Sequence, residues 1–156
     1  MTHHSVAVLI AHLALAVVGV WLIAIDARTH RLPNRIVLPA LGALIVILII
    51  EALATGSGER LTRSLLGGLA LGAFFAVLRL SSRRGMGGGD VKLAAAIGLV
   101  LAWHGWSHLL LGAAAAFLLG ALHALVLMAL RRATRHTRIA FGPWMIIGAV
   151  LAIGLA

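Results

Sequence analysis

In the stretch RRGMGGGDVKL, residues 83–93, two arginines and three consecutive glycines precede a lone aspartate, and a new apolar run begins after it. The aspartate is Asp90, and the only other aspartate in the chain is Asp26. An apolar run also ends just before this stretch. In a chain this apolar, the presence of one of only two aspartates at this place calls for an explanation.

The composition is that of an integral membrane protein. Of the 156 residues, 62% are hydrophobic and 11% are charged, and the mean hydropathy is +1.10. A soluble domain of this size could not cover its surface with so few charges. The net charge of +9 does not indicate nucleic acid, because the basic residues form short clusters between apolar runs, as in proteins oriented on anionic membranes.

Outward from the opening stretch, six apolar runs predict an all-α, polytopic membrane protein with six transmembrane helices. The runs are residues 5–25, 36–54, 61–80, 91–103, 107–130 and 139–156. The first has no basic segment before it and no small-residue cleavage site after it, so it is expected to be a helix and not a removable signal peptide. Connections of about 5 to 10 residues leave no room for a soluble domain, so residues 1–156 are expected to form a single membrane-embedded domain.

The basic residues predict the orientation of the helices. Eleven of the 13 lysines and arginines lie in or beside three connections: Arg28, Arg31, Arg35, Arg79, Arg83, Arg84, Lys92, Arg131, Arg132, Arg135 and Arg138. Only Arg60 and Arg63 lie on the other side. The positive-inside rule therefore places the three basic connections in the cytoplasm and both termini on the non-cytoplasmic side, with Trp103 and Trp106 at the outer boundary.

Both aspartates are expected at the cytoplasmic edge, at similar depth. Asp26 follows the first predicted span and Asp90 precedes the fourth. The fourth span has about 13 apolar residues, roughly 20 Å of helix against a hydrocarbon core of about 30 Å. Asp90 is therefore expected below the membrane surface, and residues 87–89 are expected to be irregular backbone that approaches another part of the bundle closely.

Several roles are open for these aspartates. An aspartate between glycine and an apolar run is typical of a helix N-cap, a role that is compatible with catalysis. Two carboxylates that share one proton are the chemistry of aspartyl proteolysis, because two like charges close together cannot both ionise easily. The same pair suits a proton relay in a small proton-coupled transporter, and a non-enzymatic membrane scaffold is a third alternative.

Three motifs resemble one family. GGGDVKL, residues 87–93, resembles the GxGD signature of the membrane aspartyl proteases, with Gly87, Gly89 and Asp90 at the fixed positions, and its continuation is similar to that of the type IV prepilin peptidases. IDARTHRLPNRI, residues 25–36, resembles that family's first motif, an aspartate at a helix end followed by basic residues and Pro33-Asn34. RIAFGPWMIIGA, residues 138–149, is similar to the start of the family's last helix.

The resemblance implies an enzyme of the bacterial inner membrane. Asp26 and Asp90 would be the catalytic pair of an aspartic endopeptidase without a cofactor, and the Pro33-Asn34 turn would position Asp26. The substrate would be a prepilin or pseudopilin whose short basic leader is removed at the cytoplasmic face. Larger members carry an added region with paired cysteines and N-methylate the trimmed pilin. This chain has no cysteine and resembles the short, peptidase-only members of tight-adherence (Flp-type) pilus systems.

The remaining polar residues are interpreted individually. Lys92 either holds negative charge near the site or anchors the chain at the cytoplasmic boundary and in anionic lipid. Glu51 is expected to be interfacial and paired with Arg60 or Arg63. His123 is expected to make an interhelical hydrogen bond. The eight histidines show no metal-ligand spacing on one helix face, and a cysteine-based zinc site is excluded, so no metal site is predicted.

Small residues predict close helix packing. Gly68 and Gly72 form a GxxxG pattern, and Gly112 and Gly120 bracket an alanine run. Such patterns are typical of surfaces where two helix backbones approach each other, either within the bundle or between two copies of the chain.

Overall fold

The computed structural model describes residues 34–81, 87–131 and 141–155, and all its regular structure is α-helical. The five helices are α1 Asn34–Thr55, α2 Gly58–Ser81, α3 Gly88–His104, α4 Trp106–Ala129 and α5 Gly142–Leu155. They coincide with five of the six predicted spans, so the all-α prediction is confirmed for this part of the chain. The first predicted span, residues 5–25, lies outside the described residues, and the six-span count stays a prediction.

The helices differ in how well they could cross a membrane. By length and composition, α1, α2 and α4 are long and apolar enough to do so, and α5 is apolar but shorter. α3 has only 17 residues, and 12 of them are buried. It is the central helix, and it tolerates a modest apolar length because it faces other helices more than lipid.

Two connections are shorter than predicted. Only Gly56 and Ser57 separate α1 from α2, and only Gly105 separates α3 from α4. Gly56 has a φ of 66° and Gly105 a φ of 157°, conformations that L-residues with side chains rarely adopt. The expected connections of about 5 to 10 residues are therefore wrong at these two places, because a single glycine reverses the chain where a longer polar turn was assumed.

α2 and α3 pack antiparallel, with their backbones almost in contact. A Cβ added at Gly98 of α3 would lie 2.5 Å from the carbonyl oxygen of Gly67 and 2.9 Å from the Cα of Gly68. A Cβ at Gly68 would lie 2.7 Å from Cγ of Leu99, and one at Gly72 would lie 3.1 Å from Cβ of Ala95. The predicted packing role of Gly68 and Gly72 is thus confirmed within the bundle.

α4 and α5 form a second antiparallel pair by the same means. A Cβ at Gly148 would lie 2.6 Å from the carbonyl oxygen of Gly112 and 2.7 Å from the backbone nitrogen of Ala116. A Cβ at Gly120 would lie 2.8 Å from Cε2 of Phe141. The glycines that bracket the alanine run therefore lie in the contact between α4 and the segment of α5, as expected of small-residue surfaces between helices in lipid.

Side chains of α2 donate hydrogen bonds to backbone carbonyls near the carboxyl end of α3. The Arg63 guanidinium donates from Nε to the carbonyl of Ala102 at 2.8 Å and from Nη2 to that of Trp103 at 3.0 Å. The fully buried Ser64 hydroxyl donates to the carbonyl of Leu99 at 2.6 Å. Carbonyls in the last turn of a helix lack intrahelical donors, and a cation there also complements the helix dipole.

Two residues at this end of the bundle are buried against protein. Trp103 is only 4% exposed and packs with α1 in a cluster that includes Leu48. Glu51 is 6% exposed on the α1 face that also carries Leu44 and Leu48. Within the described ranges no ion pair joins Glu51 to Arg60 or Arg63, so the expected pairing is wrong.

The glycine contact between α2 and α3 predicts the outcome of a matched pair of substitutions. Gly98→Ala is expected to destabilise the protein by about 1–3 kcal/mol, because the new methyl group meets backbone atoms that cannot move aside. Gly42→Ala, in the middle of α1 with nothing within 4 Å of the added carbon, is expected to be neutral or stabilising by up to about 1 kcal/mol. Unfolding in detergent, followed by circular dichroism, measures both, and equal effects would contradict the packing.

Candidate active site

Asp90 lies in the first turn of α3, as the third residue of the helix. Its Oδ2 accepts a hydrogen bond from the backbone N–H of Gly87 at 3.1 Å, and the residue is 7% exposed. Asp90 is therefore not the N-cap; Gly87 holds that position, and Asp90 reaches back to it. The position still suits a carboxylate, because the unpaired N–H groups and the dipole of a helix N-terminus favour an anion.

The glycines before Asp90 allow another group to approach the backbone closely, and their own backbone conformations are ordinary. Gly88 and Gly89 are helical, and Gly87 is extended with φ −72° and ψ 151°. The expectation of irregular backbone over residues 87–89 is thus wrong for the last two. A Cβ at Gly88 would collide with Nη1 of Arg79 and lie 3.0 Å from its Cζ and 3.2 Å from its Nη2. The group that approaches this turn is the guanidinium at the end of α2.

Asp90 lies at the N-terminal end of an apolar stripe, a row of buried side chains along one face of α3. Leu93, Ala94, Ile97 and Leu101 follow it at helical spacing on the same face of α3, and each is at most 3% exposed. They belong to a core cluster with Phe75 and residues of α4 and α5. The carboxylate therefore stands on the side of α3 that faces the bundle interior, as ionisable residues at membrane depth usually do.

All four phenylalanines of the chain meet beside this stripe. Phe75 and Phe117 have ring centroids 5.6 Å apart, and Phe141 lies 5.7 Å from Phe75 and 5.1 Å from Phe117. Phe74 completes the cluster at 5.8 Å from both Phe75 and Phe117. The aromatic cluster ties α2, α4 and the start of α5 together next to the apolar stripe, and so removes that face of α3 from solvent.

Lys92 is half-buried on α3. A separation of two residues turns its Cβ about 200° around the helix axis from that of Asp90, so the two side chains do not leave the same face. Across the described ranges, no group of three or more histidine, aspartate or glutamate side chains could hold a metal ion.

Two of the sequence-predicted residues lie outside the described part of the chain. These are Asp26 and Pro33, whereas Asn34 is the first residue of α1. The short turn at Gly56–Ser57 makes α1 antiparallel to α2, and α2 is antiparallel to α3. α1 consequently starts at the end of the bundle where α3 starts, so Asn34 lies at the end that holds Asp90.

His123 contacts α5 through its ring. The imidazole lies 4.9 Å from the Trp144 ring, centroid to centroid, at an interplanar angle of 41°. Its buried Nδ1 has no hydrogen-bond partner among the described residues. The expected interhelical contact is present, but as aromatic packing and not as a hydrogen bond from that nitrogen.

Two residues of this site carry no functional signal in the sequence. Arg79 is one of several orientation charges, and Gly88 lies between the two fixed glycines of the motif. No pattern in the sequence pairs them, because their contact depends on the register in which α2 packs against α3.

Comparison with known proteins identifies the family. The type IV leader peptidase family matches residues 13–153. Similar proteins are the prepilin leader peptidase/N-methyltransferases of Pseudomonas aeruginosa, 35% identical over 83% of this chain and 43% of the relative, and of Escherichia coli K12, 34% identical over 83% and 56%. That of Dickeya chrysanthemi is 32% identical over 86% and 46%. The chain spans about half the length of these relatives, and no solved structure matches it.

The described helices define a helical membrane protein whose central helix carries a buried aspartate in its first turn. The chain belongs to the type IV leader peptidase family, which confirms the family predicted from the sequence.

Proposed function

We propose that this chain is an aspartic endopeptidase that removes the leader of a prepilin or pseudopilin, with Asp26 and Asp90 as its catalytic pair. The observation that carries the proposal is the buried carboxylate of Asp90, held at the N-terminus of α3 in a chain of the leader peptidase family. Family membership favours this function over the transporter and scaffold alternatives, and nothing in the described helices favours either of those.

The chemistry needs only the two carboxylates and water. The ionised member takes a proton from water as the resulting hydroxide attacks the scissile carbonyl carbon, and the protonated member donates a hydrogen bond to the carbonyl oxygen. The tetrahedral intermediate then collapses with proton transfer to the leaving amine. No covalent enzyme intermediate forms, which suits a chain without cysteine.

In the resting pair we assign the proton to Asp26 and the negative charge to Asp90. Asp90 accepts the Gly87 N–H and stands at the positive end of a helix dipole, both of which stabilise its anion. Asp26 is predicted at the carboxyl end of the first span, where the dipole disfavours an anion. Activity should follow a bell-shaped pH profile, because the doubly protonated and the doubly ionised pairs are both inactive.

The proposed location is the bacterial inner membrane, with six spans, both termini outside and the active site at the cytoplasmic side. Arg79, Lys92 and Arg131 lie at the end of the bundle where α3 starts, and Arg60 and Arg63 lie at the other. Together with the basic residues outside the described ranges, this distribution supports the orientation. It also fits contact between the basic end and anionic lipid.

The substrate proposal follows from this orientation and from the relatives, which are named as prepilin leader peptidases. A short basic leader would remain in the cytoplasm, and the cut would fall where the substrate's apolar helix leaves the membrane. Gly87, Gly89 and Lys92 would support the catalytic turn, and Pro33 and Asn34 would place Asp26.

N-methylation of the trimmed product is not proposed for this chain. The relatives are named for both activities, and the chain matches only about half of their length. In the family resemblance the second activity goes with paired cysteines, and this chain has none. Residues 1–156 are therefore proposed to form one peptidase domain.

The catalytic pair predicts the effect of two isosteric changes. Asp26→Asn and Asp90→Asn should each lower leader removal by at least about 1,000-fold, because an amide neither takes a proton from water nor shares one with its partner. Glu59→Gln, at an exposed acid in the first turn of α2, is the matched control and should retain full activity. Co-expression with candidate prepilins and mass spectrometry of the product measure all three.

The Asp90→Asn protein should insert and fold normally, since its amide oxygen can still accept the Gly87 N–H. A folded Asp26→Asn or Asp90→Asn protein with activity near that of the Glu59→Gln control would remove that residue from the mechanism.

The absence of cysteine predicts that the trimmed product is not methylated and that cleavage does not need zinc. Purified protein supplied with S-adenosylmethionine should release a trimmed prepilin whose new N-terminus carries no added methyl group, and a zinc chelator should leave the rate unchanged. Intact-mass measurement of the product tests both. A methyl mass increment that depends on this chain, or loss of cleavage with the chelator, would show that the two-carboxylate, peptidase-only account is wrong.

A further inference from the structure

Arg79 and Gly88 form a contact that the proposed mechanism does not yet use. Arg79 is in the last turn of α2, and Gly88 is the first residue of α3. The guanidinium covers the Cα of Gly88 so closely that any side chain there would displace it. At Gly88 the Arg79 guanidinium thus lies in the space that a side chain would take, and the backbone of Gly88 is ordinary helix.

Arg79 lies between two helix ends. As a cation in the last turn of α2 it complements the negative end of that helix's dipole, and beside the first turn of α3 it lies near the positive end of the other dipole. The chain has four acidic residues, and Glu51 and Glu59 belong to the far end of the bundle. Among the described residues, Asp90 is the only acid at the end where Arg79 lies, and it follows Gly88 by two residues.

We propose that Arg79 is a positioning residue for Asp90: its guanidinium, packed over Gly88, holds the first turn of α3 and so holds the Asp90 carboxylate in place. The inference rests on the proposed peptidase function. Arg79 does not touch the reacting atoms. It stabilises the turn whose Gly87 N–H binds Asp90, and its charge favours the ionised form of that carboxylate.

The glycine packing between α2 and α3 makes this role possible. The register that places Gly67 and Gly68 against Gly98 also places the ends of α2 against both ends of α3. Arg63 binds the carbonyls at one end and Arg79 covers the amide end at the other. α2 thereby fixes α3 along its length, and Arg79 is the contact nearest to the proposed chemistry.

A double-mutant cycle on Arg79 and Gly88 tests the inference. Arg79→Met and Gly88→Ala should each lower kcat for a synthetic prepilin by roughly 10- to 100-fold, because each releases the turn that places Asp90. Gly88→Ala made in the Arg79→Met background should change kcat by less than about twofold, because the added methyl group then has no guanidinium to displace. KM should stay within about twofold in all variants.

Matched controls and a second readout accompany the cycle. Arg60→Met removes an exposed arginine at the opposite end of α2, and Gly58→Ala adds a methyl group at a helix start with nothing within 4 Å. Both should behave as the unmodified protein. Hydrogen–deuterium exchange of the peptide that covers Gly87 to Lys92 should rise by at least about threefold in Arg79→Met and in Gly88→Ala, and in neither control.

The outcomes separate this inference from the peptidase proposal. Additive losses in the cycle, or unchanged exchange in both single variants, would overturn the positioning role. A rise in KM with unchanged kcat would overturn it as well, and would assign Arg79 to the substrate leader or to lipid phosphate. If exchange changes as expected but even the unmodified protein cleaves no prepilin, the Arg79–Gly88 contact stands and the peptidase function fails.

Discussion

The close approach of the α2 and α3 backbones is the contact on which the rest of the structure depends. In lipid there is little hydrophobic drive to bring helices together, so association depends on packing and on interhelical hydrogen bonds. Gly67, Gly68 and Gly98 let the two backbones meet, and side chains of α2 can then reach the carbonyl end of α3. Because small residues occupy the contacts between helices, large apolar residues lie on the outer surface. Leu53, Leu69 and Leu110 are 79%, 70% and 69% exposed, as lipid-facing residues should be.

The central position of α3 explains how a carboxylate is kept inside an apolar helical bundle. Its inward face is an apolar stripe closed by the phenylalanine cluster, and Asp90 stands at the end of that stripe, where the helix supplies unpaired N–H groups. An anion there is stabilised by the helix terminus and faces protein.

The sequence predicted the helices well, because each is a continuous apolar run and the runs are separated by glycine or basic clusters. It also predicted four of the packing glycines, because Gly68, Gly72, Gly112 and Gly120 recur at helical spacing in otherwise bulky runs, whereas their partners Gly98 and Gly148 were not predicted. It failed where tertiary contacts decide. Tryptophan is common at membrane interfaces, but Trp103 packs against α1. Glu51 likewise lies on the face of α1 that is buried in the bundle. The Arg79–Gly88 contact depends on register between helices, which no local pattern encodes.

For the site, the residue type at Asp90 and its helix-terminal position were predictable, but its hydrogen bond was not. An aspartate that follows three glycines looks like an N-cap. The helix begins three residues before the apolar run, because Gly88 and Gly89 are already helical. Asp26 and Pro33 lie outside the described residues, so their proximity to Asp90 rests on the direction of α1 and on the family motif.

That proximity is the central claim, and the absence of cysteine makes it directly measurable. A protein with Asp26→Cys and Asp90→Cys has only those two thiols, so treatment of membranes with an oxidant or a short bifunctional thiol reagent should join them within one chain. The pair Asp26→Cys and Glu59→Cys, with the second thiol at the other end of the bundle, should give little cross-linking. Mass spectrometry of the digested protein identifies the joined peptides. Efficient cross-linking of the first pair alone is predicted, and cross-linking of the first pair no greater than that of the second would contradict a catalytic site built from Asp26 and Asp90.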